Sequence, residues 1–155
     1  MKIAIGSDES SYLTDYAIAD LLRRGHDLVL VGALTENGDA RWPIVGFEVG
    51  RYVASKECAE GVLFCFTGTG VSIAANKIPG IRAALCTDAQ TASGAKQYNH
   101  ANILAMSLRS TSTEEAKEIF DAWFNTSPGE DEDREYVELL VEGEYNRSGG
   151  ESCLL

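Results

Sequence analysis

The sequence is short of positive charge. Against 24 Asp and Glu it sets 13 Lys and Arg, a formal net charge of −11. Nucleic acids and anionic membrane surfaces both want a basic face, so neither is expected as a partner. Long apolar runs are missing too, and no window approaches the length needed to span a bilayer. The opening, MKIAIGSDES, turns polar at once and lacks the apolar stretch of a secretory leader, so a cytoplasmic protein is expected. The four cysteines, Cys58, Cys65, Cys86 and Cys153, form no Cys-x-x-Cys pair and no metal-like spacing. Three of them sit in or beside apolar segments and read as reduced thiols. The ending SCLL is not a prenylation box, because its cysteine is third from the end. There is no internal repeat. The 155 residues suffice for one domain with one good core and are too few for two.

What is present is an alternation of short apolar runs and helical patterns. KIAIG (2–6), DLVLVG (27–32), GVLFCF (61–66), GIRAALC (80–86) and NILAMS (102–107) read as strands. Helices are expected over 10–24, from Pro43 to about Ser55, over 70–77, from an Asp88 cap to Gln97, and over 112–125. The last carries a capping signal, Ser112 with Glu115 three residues on. A further helix is expected around 130–145, in a single domain over 1–146 followed by a tail over 147–155. Continuous apolar strands alternating with helices predict a doubly wound, five-stranded parallel α/β sheet covered on both faces. Ligands of such sheets collect at the C-terminal strand ends. Here those ends carry Gly6 to Glu9, Gly32 and Ala33, Cys65 to Gly68, Cys86 to Asp88, and Ser107 to Arg109.

The loop after the third strand holds the most chemistry. It is not a dinucleotide fingerprint, since Gly68 and Gly70 are followed by Ile73 where a third glycine would stand. Nor is it a P-loop, because no Gly-Lys-Ser/Thr follows. It is a glycine-rich turn feeding a helix N-terminus, where backbone N–H groups can meet an anion, or simply a tight turn. Cys65 stands beside it. A thiol there can act as nucleophile or general base; the plain alternative is a small buried apolar residue.

Three stretches, IAIGSD, GVLFCFTGTGVSIAANKIPGIRAALCTD and NHANILAMSLR, together resemble the ribose-5-phosphate isomerase B family, which includes the subunits of galactose-6-phosphate isomerase. The resemblance runs from Met1 to about Phe124. It implies a Rossmann-like fold, a homodimer or tetramer with sites at the dimer interface, a sugar or sugar phosphate as substrate, and no metal or organic cofactor. It implies aldose–ketose isomerisation through an enediolate. Cys65 matches the family's catalytic base, and the amides around Gly68, Thr69 and Gly70 match its anion hole. Thr67 matches a threonine linked to ring opening; Asp8 and Asn99 match polar contacts to the sugar. Trp42 stands where the family often has a tyrosine before proline, and Arg109 matches an arginine near the phosphate.

The chain departs from that pattern in four places. Glu9 replaces a histidine after Asp8, and Tyr98 replaces the ring-opening histidine ahead of Asn99 and His100. Phe66 replaces the glycine after the cysteine. Glu132 and Tyr136 fall where two phosphate-binding arginines would align, with Arg134 as a partial substitute. The proton-transfer groups are thus kept while the phosphate and ring-opening groups are altered. Carboxylates repel a dianion. The expectation is an isomerase whose substrate differs from ribose 5-phosphate, either another sugar phosphate or an unphosphorylated sugar. The alternatives are a non-catalytic sugar-binding homologue and one subunit of a hetero-oligomeric isomerase; retention of Cys65 beside the glycine loop favours the enzyme. His26 is expected to interact with the end of the first helix, and His100 stands one position away from the site motif.

Overall fold

A computed structural model describes residues 1–148. The strands are β1 (Lys2–Ser7), β2 (Asp27–Gly32), β3 (Glu60–Cys65), β4 (Ala83–Leu85) and β5 (Ile103–Ser107). The helices are α1 (Tyr12–Arg23), α2 (Trp42–Ala54), α3 (Thr69–Ala75), α4 (Ala89–Asn99), α5 (Thr113–Asn125) and α6 (Glu132–Ser148). The described strands make one parallel sheet in the order β2-β1-β3-β5-β4. The chain runs from β1 outward to β2 and then returns to the other side of β1. The switch point therefore lies between the ends of β1 and β3, at Asp8 and Cys65.

Strand alternation sorts the core into two layers. Ile3, Ile5, Val62, Phe64, Leu104 and Met106 face one cover, which α1, α4 and α5 supply through Leu21, Ala92, Phe120 and Trp123. Ala4, Leu63, Cys65, Ile103 and Ala105 face the other, against Val45 and Val49 of α2 and Val71 and Ala75 of α3. Sequence caps open several helices. Ser11 and Thr14 form a capping box, Asp88 accepts from the Thr91 N–H at 2.7 Å, and Ser112 pairs with Glu115.

Some boundaries differ from the expected ones. The fourth strand is only Ala83–Leu85, because its first residues are drawn into other bonds. Gly80 has φ +79°, Ile81 donates back to Ile78, and the Arg82 N–H goes to the Asn102 side chain. The third strand stops at Cys65, since the Phe66 carbonyl leaves the ladder for Ser107 Oγ and the Arg109 N–H. α6 reaches Ser148, so helix occupies the first residues of the expected tail; Cys153 and the rest of that tail lie outside the described residues. The His26 backbone N–H does bond the end of α1, at the Leu21 carbonyl, but its ring stacks on Phe124 at 4.7 Å. No helix among the described residues is long and apolar enough to cross a membrane.

At the N-terminal edge of the sheet, one strand and two helices are tied by one polar cluster. Glu60 accepts from Lys96 Nζ and from Trp123 Nε1, each at 2.5 Å, and the Lys96 ammonium lies 4.9 Å from the Trp123 ring centre. Lys96 and Trp123 are buried, so every member depends on the others. Glu60→Ala strands the ammonium and the indole N–H together and is expected to lower the unfolding free energy by about 3 kcal/mol. Glu60→Gln keeps an acceptor for the indole and should lose less. Urea unfolding checks the order; equal losses would mean the acceptor for Trp123 is immaterial.

Candidate active site

Cys65 ends β3 with its side chain turned to the α2–α3 cover and only 4% of its surface exposed. Its carbonyl accepts from the Gly68 N–H at 3.1 Å and from the Leu108 N–H at 3.0 Å. The chain therefore turns sharply at the cysteine and enters α3 four residues later. Gly68 makes the turn possible. It caps α3 with φ +75°, and a Cβ there would meet the Met106 carbonyl at 2.9 Å. Past it, the Thr69, Gly70 and Val71 amides precede the first intrahelical bond, made by the Ser72 N–H to the Gly68 carbonyl. The Thr67 and Thr69 hydroxyls bond each other at 2.6 Å across the turn. Trp42, at the start of α2, lies on Gly70 so closely that a Cβ would sit 3.0 Å from the indole.

Asp8 and Glu9 stand at the neighbouring strand end. Ser7 Oγ donates to the Glu9 carbonyl at 2.6 Å and accepts its N–H at 3.2 Å, which holds Asp8 at the lip of the sheet. Burial pushes the Asp8 carboxyl above its ordinary value, a hydrogen bond from its own backbone opposes this, and the Glu9 charge adds to it. Arg109 reaches the same edge from beyond β5. Its guanidinium carbon lies 5.5 Å from the centre of the exposed Phe66 ring. The other nearby cation, Arg41, is neutralised by Asp39, which it holds down at about 2. The cleft at Arg41, Trp42, Pro43 and Ile44 measures about 440 Å³.

Cys65, Thr67, Gly68, Thr69, Gly70, Trp42, Asp8, Glu9 and Arg109 are thus on one edge of the sheet. Tyr98 and Asn99 are not. They end α4, which runs back from the Asp88 cap toward the start of β5. From the Gly61–Ile103 pair to the Cys65–Ser107 pair is four residues, about 13 Å along the strands. Asn99 instead lines a cavity of about 700 Å³ with Arg82, Ala84, Leu139 and Leu140. Tyr98 is exposed. His100 serves the fold: its φ of +46° ends α4, and its Nε2 lies 2.8 Å from the Gly129 carbonyl ahead of α6. On α6 the Tyr136 hydroxyl donates to Glu132, a bond that raises the Tyr136 phenol, while Arg134 pairs with Glu130 at 2.8 Å. Among the described residues no three His, Cys, Asp or Glu side chains cluster closely enough to hold a metal ion.

The sequence places Ser107 among the strand ends but gives it no role. Its buried hydroxyl donates to the Phe66 carbonyl at 2.9 Å and accepts from the Ser110 N–H at 3.3 Å. A hydroxyl closing an apolar strand beside the cysteine strand was the available signal.

The raised Asp8 carboxyl has a sign. Its neutral form suits the folded state, so its contribution to stability is full below the ordinary value of 3.8 and is lost as pH rises through the folded value. Asp8→Asn, neutral throughout, should be more stable than the parent at neutral pH, with the gap closing as pH falls through the carboxylate range. Urea unfolding across that range checks this, and a gap independent of pH would contradict it.

This arrangement has close relatives. A family model described as Ribose/Galactose Isomerase matches residues 3–140. Ribose-5-phosphate isomerase B of Escherichia coli K12 is 36% identical over 149 residues, covering 95% of this chain and 99% of its own. D-erythrulose-4-phosphate isomerase of Pectobacterium atrosepticum is 33% identical over 126 residues, covering 81% and 83%. The solved structure of Clostridium thermocellum ribose-5-phosphate isomerase B superposes with a TM-score of 0.86 at 38% identity, covering 95% of this chain and 99% of that one. With its parallel sheet, its cysteine-ended central strand and a match over nearly its whole described length, the chain belongs to the ribose/galactose isomerase family and is an isomerase.

Proposed function

We propose that the protein interconverts an aldose and a ketose, with Cys65 as the base and a sugar phosphate other than ribose 5-phosphate as the preferred substrate. The observation that carries this reading is the buried thiol of Cys65 at the switch point, beside the amides of the Gly68–Gly70 turn and the carboxyl of Asp8. Cys65, as thiolate, takes the proton from C2 of the open-chain aldose. The C–H electron pair becomes the C1–C2 double bond and the negative charge moves to O1. The free amides of Thr69 and Gly70 stabilise that oxygen, a preorganised arrangement that is a large term in such reactions, while the Gly68 N–H, expected beside them, is spent on the Cys65 carbonyl and shapes the turn. Cys65 then returns its proton to C1, while the O2 proton passes to O1, leaving the ketone at C2. Asp8, Glu9, Asn99 and Trp42 hold the sugar, and Thr67 and Tyr98 assist ring opening. Arg109 receives the anionic end.

The site is completed in a homodimer. Tyr98 and Asn99 lie at the opposite sheet edge from Cys65, so a two-fold related copy supplies them to the site of its partner. A second substrate reading, an unphosphorylated sugar, is favoured by Glu132 and Tyr136, which bond each other where the resemblance expects arginines.

Two experiments test these statements. Deuterium exchange from solvent into C1 and C2, read by NMR over pentoses, tetroses and hexoses with and without phosphate, should show turnover that Cys65→Ala lowers at least about a hundredfold. Exchange that survives in Cys65→Ala removes the cysteine from the chemistry, and no exchange with any sugar leaves a sugar-binding homologue or a partner-dependent subunit. Mixing the inactive Cys65→Ala and Asn99→Ala proteins should restore about a quarter of parental activity, because half of randomly re-formed dimers carry one intact site. A mixture that stays inactive although it exchanges subunits would place Asn99 in the same site as its own Cys65.

A further inference from the structure

We propose that Phe66 is a positioning residue that holds Arg109 for the anionic group of the substrate, and so decides how strongly the site prefers charged over neutral sugars. This rests on the isomerase reading above. Phe66 follows Cys65 directly and leaves 60% of its surface exposed at the lip of the sheet. An exposed aromatic face can hold a cation, and here Arg109 lies near it. The Arg109 N–H donates to the Phe66 carbonyl at 3.1 Å, and the Arg109 guanidinium lies 5.5 Å from the Phe66 ring centre. Backbone and side chain of one residue therefore hold backbone and side chain of the other. Ser107 Oγ adds a second donor to the same carbonyl, at 2.9 Å, so the Phe66 backbone cannot swing away.

Arg109 needs such a holder. Among the described residues it has no carboxylate partner, in contrast to Arg23, Arg24, Arg41 and Arg134, each of which is paired with an Asp or Glu. A long side chain without a salt bridge samples many rotamers, and each one lost on binding weakens the complex. An aromatic face narrows that sampling without neutralising the charge, because a guanidinium stacked on a ring keeps its N–H edge free for an anion. A carboxylate in the place of Phe66 would fix Arg109 equally well and cancel the charge. The geometry suits one compact anion at this lip, such as a phosphate monoester, in a protein whose net charge of −11 otherwise repels it.

Inorganic phosphate is the probe that does not depend on turnover. Titrated into the ¹⁵N-arginine-labelled protein, it should shift the Arg109 Nε–H signal in a saturable way. Phe66→Leu, which keeps apolar bulk, should raise the half-saturating concentration roughly threefold to tenfold, and Phe66→Tyr should restore it. With the best phosphorylated sugar, Phe66→Leu should raise KM by a similar factor, kcat falling by less than KM rises; its unphosphorylated counterpart should show no such rise in KM. An Arg109 signal that phosphate does not move, an unchanged half-saturation in Phe66→Leu, or equal KM changes for charged and neutral sugars would each overturn the proposal. Phosphate binding of the expected kind in a protein that turns over no sugar would instead overturn the isomerase reading and leave this one standing.

Discussion

Two carbonyl oxygens organise the top of the sheet. That of Cys65 takes the N–H groups of Gly68 and Leu108; that of Phe66 takes Ser107 Oγ and the N–H of Arg109. Each bond contributes only about 1 kcal/mol, but together they decide where the chain goes. They end β3 at the cysteine and turn the loop back toward α3. They also tie the end of β5 to the same point, so the thiol, the turn amides and Arg109 meet. Gly68 fits this turn with φ +75°, where a Cβ would lie 2.9 Å from the Met106 backbone.

The opposite edge is organised by charge. Glu60 opens β3, five residues before the thiol that closes it, and its carboxylate gathers Lys96 from α4 and Trp123 from α5. A buried ion pair contributes little net stability beside an apolar alternative, but it accepts one geometry only. Lys96 lies within a turn of Tyr98 and Asn99. The cluster therefore fixes the height and rotation of the helix end that carries them. One strand thus has the candidate base at one end and, at the other, the anchor for the residues assigned to a neighbouring copy. A two-fold axis can bring such ends together, because each copy offers both halves.

The sequence carried a good deal of this by itself. Periodicity, glycine placement and the Ser112–Glu115 signal determined the alternation of elements and the α/β class, because those features act within a few residues. The loop from Cys65 to Gly70 was legible for the same reason, and the family followed from it. Locality also explains the errors. GIRAALC has the composition of a seven-residue strand, yet three residues pair, because Asn102 and the Ile78 turn claim the backbone groups of the first ones.

Only the tertiary structure decided which distant residues meet. Tyr98 and Asn99 stand in the family's motif, but α4 carries them toward the start of β5, while Cys65 stands at the far end of the paired strands, about 13 Å along them, a separation no motif encodes. The contact of Arg109 with the Phe66 ring and the joining of Glu60, Lys96 and Trp123 are of the same kind. Each spans dozens of residues of chain. Local sequence chooses the elements; the order in which a twice-covered sheet can bury them chooses their neighbours.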